Sequence, residues 1–225
     1  PVKVGDKLIP QKAIDGAQEL FKSGYFSTVE PKIDRKADNT VSIMYEVQEN
    51  PAVQSINIQG NTLFTNAQLE EALGIKKGEI LNGNLLNPDS NGIIGLYSKN
   101  GYSTARIESI TVGETGDVNI GLSEGIVKDI SFEKSTPKND NDRQSSKRTK
   151  LRTKDYVLER YLEVKPGQVL NNSDLESSIR ELYRTGIFTR VTPELYGSET
   201  DPNERNIKFI VEERPTTTIN GSISY

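Results

Sequence analysis

At 225 residues, with 33% apolar and 27% charged residues, the chain has the composition of a globular protein with a thin apolar supply, which favours several small cores over one large one. A formal net charge of −4 gives no overall attraction for phosphate, so nucleic acid is not expected as a partner. With no Cys, His or Trp, zinc centres of the thiolate or imidazole type, Cys nucleophiles and Ser-His triads are excluded, and no cofactor or metal site is expected.

Taken from the N-terminus, the first elements are a helix and two strands. Ala13, Ala17, Leu20 and Phe21 fall on one helical face, and Pro10 sits where a first turn tolerates a missing N–H. Gly24 ends the helix, and a strand follows over Thr28–Ile33. After the turn Ala37-Asp-Asn39, Val41, Ile43, Tyr45 and Val47 alternate as in a strand with one covered face.

The next stretch is fuller. It reads as a strand over Val53–Ile58, a helix over Asn66–Leu73, and a second helix marked by Pro88, Ile94 and Tyr97 and stopped by Gly101. Strands over Thr104–Val112 and Val118–Leu122 then flank a Gly113 to Gly116 turn. The last stretch repeats this order: a strand over Ile126–Phe132, a helix over Asp155–Leu162, and a helix carrying Leu175, Ile179, Leu182 and Tyr183, with Ser173 and Glu176 as its capping box. Gly186 stops that helix, and strands Thr189–Leu195 and Ile207–Val211 surround the turn Asp201-Pro-Asn203.

These parallels form an internal repeat. Lys22-Ser-Gly-Tyr-Phe26, Lys99-Asn-Gly-Tyr-Ser103 and Arg184-Thr-Gly-Ile-Phe188 echo one another, with their glycines 77 and 85 residues apart. A second echo lies upstream in Val4-Gly-Asp-Lys-Leu8, Lys77-Gly-Glu-Ile-Leu81 and Pro166-Gly-Gln-Val-Leu170. The period is that of a small domain and exceeds the roughly 20–50 residues of solenoid repeats. The expected fold is therefore α+β: three tandem β-α-α-β-β units, each with two helices on a small mixed sheet, the first incomplete at its N-terminus. The expected boundaries are 1–51, 52–125 and 126–215, the last carrying an inserted loop at about 135–152.

Ile56-Asn-Ile-Gln-Gly-Asn61, Leu69, Leu73, Ile75-Lys-Lys-Gly78 and the run Tyr97 to Tyr102 resemble a POTRA (polypeptide-transport-associated) domain. The resemblance covers essentially the whole chain as three copies. It implies the periplasmic arm of an outer-membrane protein assembly or translocation factor, without enzymatic activity. In that family tandem POTRA domains precede a β-barrel in the outer membranes of Gram-negative bacteria, mitochondria and chloroplasts. The implied partners are unfolded outer-membrane protein clients, the protein's own C-terminal β-barrel and accessory assembly proteins. Residues 216–225 resemble the passage into a first barrel strand, and the long insertion points toward a cyanobacterial or plastid lineage. Two alternatives are the arm of a two-partner secretion transporter, which usually carries two such domains, and a cell-division scaffold with a single one.

Two surfaces stand out as candidates. Extended peptides add to exposed sheet edges through main-chain hydrogen bonds. Pro31 and Pro193, which donate no N–H, occupy matching positions after their anchor glycines, and the corresponding place near Glu108 carries no proline. The strand containing Thr104, Ala105, Arg106, Ile107, Glu108, Ser109 and Ile110 is thus the expected receptive edge. The other candidate is basic: Arg143, Lys147, Arg148, Lys150, Arg152 and Lys154 lie in a run without any acid, suited to outer-membrane lipid, lipopolysaccharide or an acidic neighbour. Residues 126–225 hold 17 basic and 16 acidic side chains, against 4 and 8 in 52–125. The pairs Glu70/Glu71 and Glu212/Glu213 read as solvated charge, because adjacent residues point apart.

Overall fold

A computed structural model describes residues 7, 9–37, 40–87, 92–135 and 151–214. The chain divides into two compact units, Pro1–Asn100 with Ala105–Ser123, and Gly101–Thr104 with Glu124–Tyr225.

The first unit holds two sheets. Helix α1 (Pro10–Lys22) carries Pro10 in its first turn and packs Ala13 and Ala17 onto a two-stranded antiparallel sheet, β1 (Phe26–Arg35) with β2 (Val41–Glu49). The second sheet has the order β3-β5-β4, from β3 (Ser55–Gln59), β4 (Arg106–Val112) and β5 (Asp117–Ser123). β5 runs parallel to β3 and antiparallel to β4, so the sheet is mixed. Helices α2 (Asn66–Leu73) and α3 (Ile93–Lys99) accompany it. Leu69, Tyr97, Val118 and Ile120 form a closed interior there, with Phe64 edge-on to Tyr97 at 4.9 Å. Alternation along β5 sends Val118, Ile120 and Leu122 inward and leaves Asn119 outside.

The second unit repeats that plan. β6 (Ile126–Lys134), β7 (Phe188–Gly197) and β8 (Glu204–Glu213) give the order β6-β8-β7, with β8 parallel to β6 and antiparallel to β7. Helices α4 (Asp155–Leu158) and α5 (Asn172–Arg184) close a core of Leu158, Leu170, Leu182, Phe188, Ile207 and Phe209.

The echoed motifs have structural roles. The anchor glycines follow α1, α3 and α5 at φ +85°, +86° and +71°, the left-handed conformation that ends a helix without steric penalty. The Gly78 and Gly167 loops fold back along the start of the opening strand. Gly78 N–H donates to the Val53 carbonyl, as Gly167 N–H does to Val127, and Leu81 and Leu170 N–H donate to Pro51 and Gly125. Asparagines then hold helix ends whose carbonyls lack a partner within the helix. In the first unit the Lys22, Ser23 and Gly24 carbonyls accept from Asn84 Nδ2, Asn82 Nδ2 and Gly83 N–H at 2.8, 3.2 and 2.7 Å. In the second, the Gly101 carbonyl accepts from Asn172 N–H at 2.8 Å.

Several sequence expectations change. The opening strand of the middle sheet starts at Ser55, because Val53 is taken up by the return loop. The helix expected over Asp155–Leu162 is one α turn followed by a 3₁₀ turn, Glu159–Tyr161. Ser173 and Glu176 form no capping box: α5 is capped by Asn171, whose side chain accepts from Ser173 N–H. The capping box lies instead at Thr65 and Gln68 on α2. Glu213 is no solvated charge. Its carboxylate accepts from the backbone N–H of Arg152 and Thr153 at 3.0 and 3.1 Å. Pro88, the turn at Asp38 and Asn39, and residues 215–225 lie outside the described residues.

Candidate functional site

β1, β4 and β7 occupy the same place in their sheets, each antiparallel to its neighbour and bordered by no further strand among the described residues. In an antiparallel ladder, backbone groups of alternate residues point away from the partner. The register identifies them. Gly113 N–H donates to Asp117 and Ser198 N–H to Glu204, so Ile110 and Val112 on β4, and Val191 and Pro193 on β7, turn their main-chain groups outward. Lys36 N–H donates to Thr40, which by the same count turns Val29 and Pro31 outward on β1.

The three edges differ. Pro31 lies opposite Tyr45, Pro193 opposite Phe209 and Ile110 opposite Ile120. Tyr45, Phe209 and Ile120 are equivalents, the last two facing Phe132 and Ile58 across their parallel ladders. The counterpart of the two prolines is therefore Ile110. Glu108 is a bulge residue between the pairs Ile107–Leu122 and Ser109–Gly121. Counting from Gly101 misses this because all three strands carry one bulge, yet the stretch from Gly101 to Ile110 is two residues longer than those from Gly24 to Pro31 and from Gly186 to Pro193.

Of the expected edge, Arg106, Ile107, Glu108, Ser109 and Ile110 lie on β4. Thr104 and Ala105 do not: the Thr104 hydroxyl donates to the Glu124 carbonyl and Ala105 is buried. Ile107 and Ile110 are half-buried, Val112 is exposed, and the Arg106 guanidinium pairs with Glu108 along the strand. The strand's support is firm at its far end. Asp117 accepts from the Ser55 and Thr115 hydroxyls, at 2.5 Å each, and these bonds, Ser55 first, hold its carboxyl below the ordinary range.

Side chains beside the edges also differ, and sequence reading missed this. Three residues before the anchor glycines stand Phe21, Ser98 and Tyr183. Tyr183, expected on the apolar helix face, is 41% exposed, and its hydroxyl accepts the outward Val191 N–H at 3.0 Å. Phe21 has no such oxygen. It lines a shallow groove of about 360 Å³ with Ile14, Ala17, Val29 and Pro31, between α1 and β1. Ser98, at the matching place on α3, is short and exposed.

Of the basic run, Arg143, Lys147, Arg148 and Lys150 lie outside the described residues. Arg152 and Lys154 are exposed, Lys154 at the start of α4. The insertion is fastened at both stems beside the end of β8, with Ser135 N–H on the Val211 carbonyl and Arg152 N–H on Glu213.

A repeated βααββ unit with two helices on a small mixed sheet defines the class of domain by its fold, and sequence comparison agrees. The chain belongs to the POTRA family: the model of that family, described as surface antigen variable number repeat, matches residues 51–125 and 149–214. A putative outer membrane protein assembly factor of Treponema pallidum (strain Nichols) is 26% identical over 205 residues, covering 90% of this chain and 23% of that protein. The chain thus spans less than a quarter of that relative's length. Among solved structures, POTRA1-3 of the periplasmic domain of Omp85 from Anabaena is 26% identical with a TM-score of 0.71, over 95% of this chain and 85% of the other. The N-terminal domain of Omp85 from Thermosynechococcus elongatus has the same fold, at 24% identity and a TM-score of 0.74, over 96% and 88%.

Proposed function

We propose that this chain is the periplasmic arm of an outer-membrane protein assembly or translocation factor, non-catalytic, and that it receives extended, unfolded clients as an added strand on β4. It reads as three POTRA units over 1–51, 52–125 and 126–215, ahead of a membrane β-barrel. The observation that carries the client reading is the outward row on β4, where Ile110 stands at the position that proline takes on both sister strands. Main-chain pairing supplies affinity without demanding one sequence, which suits a carrier of many clients. Accessory assembly proteins would dock on surfaces away from this edge. The basic insertion, whose stems leave beside the last residues of β8, serves lipid headgroups, lipopolysaccharide or an acidic partner near the membrane.

Ile110→Pro tests the client reading. It gives β4 the residue that β1 and β7 already carry at an outward position, so the ladder to β5 keeps its hydrogen bonds. The probe is a labelled nine-residue peptide of alternating valine and threonine with lysine ends. Fluorescence anisotropy is expected to show its affinity falling by about tenfold or less for the lost hydrogen bond, with an unchanged circular dichroism spectrum. Unchanged affinity in the folded variant would remove β4 as the receiving edge.

A further inference from the structure

We propose that Tyr183 acts as a gate which, together with Pro193, closes β7 to strand addition and so directs an extended client to β4. The inference rests on the strand-addition reading above but concerns a different strand and different residues. An incoming strand needs a ladder of outward donors and acceptors at alternate residues. On β7 the outward donor Val191 N–H is already bound to the Tyr183 hydroxyl at 3.0 Å. The next position is Pro193, which has no N–H. Two consecutive rungs in the middle of the strand are thereby lost, leaving Leu195 and Gly197 toward its far end.

The three sheets grade this device. At the position three residues before the anchor glycine, the β7 sheet has the tyrosine. The α1 sheet has Phe21, which covers the edge without accepting a hydrogen bond, and the β4 sheet has Ser98. Proline follows the same order, present on β7 and β1 and absent from β4. Of these three strands, β7 alone combines both obstacles. A tyrosine differs from a proline in being reversible: its ring can swing away on a side-chain rotation, whereas a missing N–H cannot be restored. β7 is thus held shut at one rung by a movable group and at the next by a permanent one.

The test reads backbone amides one by one in the full chain, by hydrogen exchange followed with NMR, with and without the valine–threonine peptide. Without peptide, Tyr183→Phe is expected to speed exchange at Val191 by about five- to tenfold, the effect of losing one hydrogen bond. With peptide, the native chain is expected to gain protection at Ile110 and Val112 and none at Val191 or Leu195. Tyr183→Phe with Pro193→Val is expected to add protection at Val191, at the N–H newly supplied at position 193, and at Leu195. Protection of β7 in the native chain equal to that in the double variant would overturn the gate. So would a double variant whose β7 stays unprotected. Because β4 is read in the same spectra, β4 protection with a silent β7 in the double variant overturns the gate alone, and the converse pattern overturns the β4 reading alone. Should the double variant unfold, Tyr183→Phe keeps the ring and the backbone and decides the matter without peptide: faster exchange at Val191 upholds the gate, and an unchanged rate overturns it.

Discussion

Charge pairs in this chain act locally, and one of them makes a folding-sensitive titration. Lys128 Nζ on β6 donates to Glu204 on β8 at 2.6 Å and to the Ser198 and Thr200 hydroxyls at 3.2 and 2.7 Å. The Lys128 hydrogen bond, then the Ser198 hydroxyl, hold the Glu204 carboxyl below its ordinary range, and the same bond to Glu204 raises Lys128. A depressed carboxyl stabilises the fold above its unfolded pKa of about 4.3, and that contribution is lost as pH falls through the lower folded value. The raised lysine contributes below its unfolded pKa of about 10.4 and fades as pH climbs through the higher folded one. Both contributions are complete only between those two unfolded values. Glu204→Gln is therefore expected to lower the melting temperature of the second unit at neutral pH, with the gap to the native chain closing on acidification below about pH 4. Thermal melts across pH check this. Both side chains are partly exposed, so 1 M salt should shrink the gap.

At the level of elements, turns and caps carry much of the specification. Gly116, between β4 and β5, has φ +90°, and a Cβ built there would stand 1.9 Å from the Ala52 carbonyl oxygen. Gly116→Ala must adopt the left-handed backbone and also displace the chain that enters β3, so it should cost at least about 1–2 kcal/mol, measured by denaturant unfolding. Sequence periodicity found this hairpin and nearly every other element, because alternation along β2, β5 and β8 and the helical face of α5 are strong signals. The limits of α2 were legible residue for residue, while its cap was not, since the Thr65–Gln68 box resembles many other Thr-x-x-Gln runs. The α5 cap was misplaced because Asn171 and Ser173 are both good capping residues two positions apart, and the structure uses the first. α4 was overlong because Glu159–Tyr161 tightens into a 3₁₀ turn that periodicity over so short a stretch does not distinguish. The candidate edge was legible as a strand and only approximately in register, for two extra residues between Gly101 and the strand leave no mark on its alternation. The Tyr183 hydroxyl was invisible for a related reason: a tyrosine on an apolar face reads as core whichever group its oxygen meets.

On the scale of the whole chain, the interior is partitioned. Val127, Leu158, Leu170, Leu182, Phe188, Ile207, Phe209 and their neighbours make one cluster drawn entirely from the second unit, whereas Leu69, Ile93, Tyr97 and Ile120 are buried in the first. Small cores of this size keep only a few kcal/mol in reserve, so a single large deletion can empty one of them. Phe209 is fully buried and stacks on Phe132 at 5.4 Å between ring centroids. Phe209→Ala should cost about 3–5 kcal/mol, from lost burial and the cavity left behind. If the two units are separate in energy, that loss falls on the second alone. Native-state hydrogen exchange should then show β6, β8 and α5 losing protection by about two to four orders of magnitude, with β5 and α2 unchanged. Equal loss in both sets of amides would mean that the units unfold as one. Under the proposed function the distinction bears on client handling, because independent folding would keep β4 presented while the second unit opens and recloses.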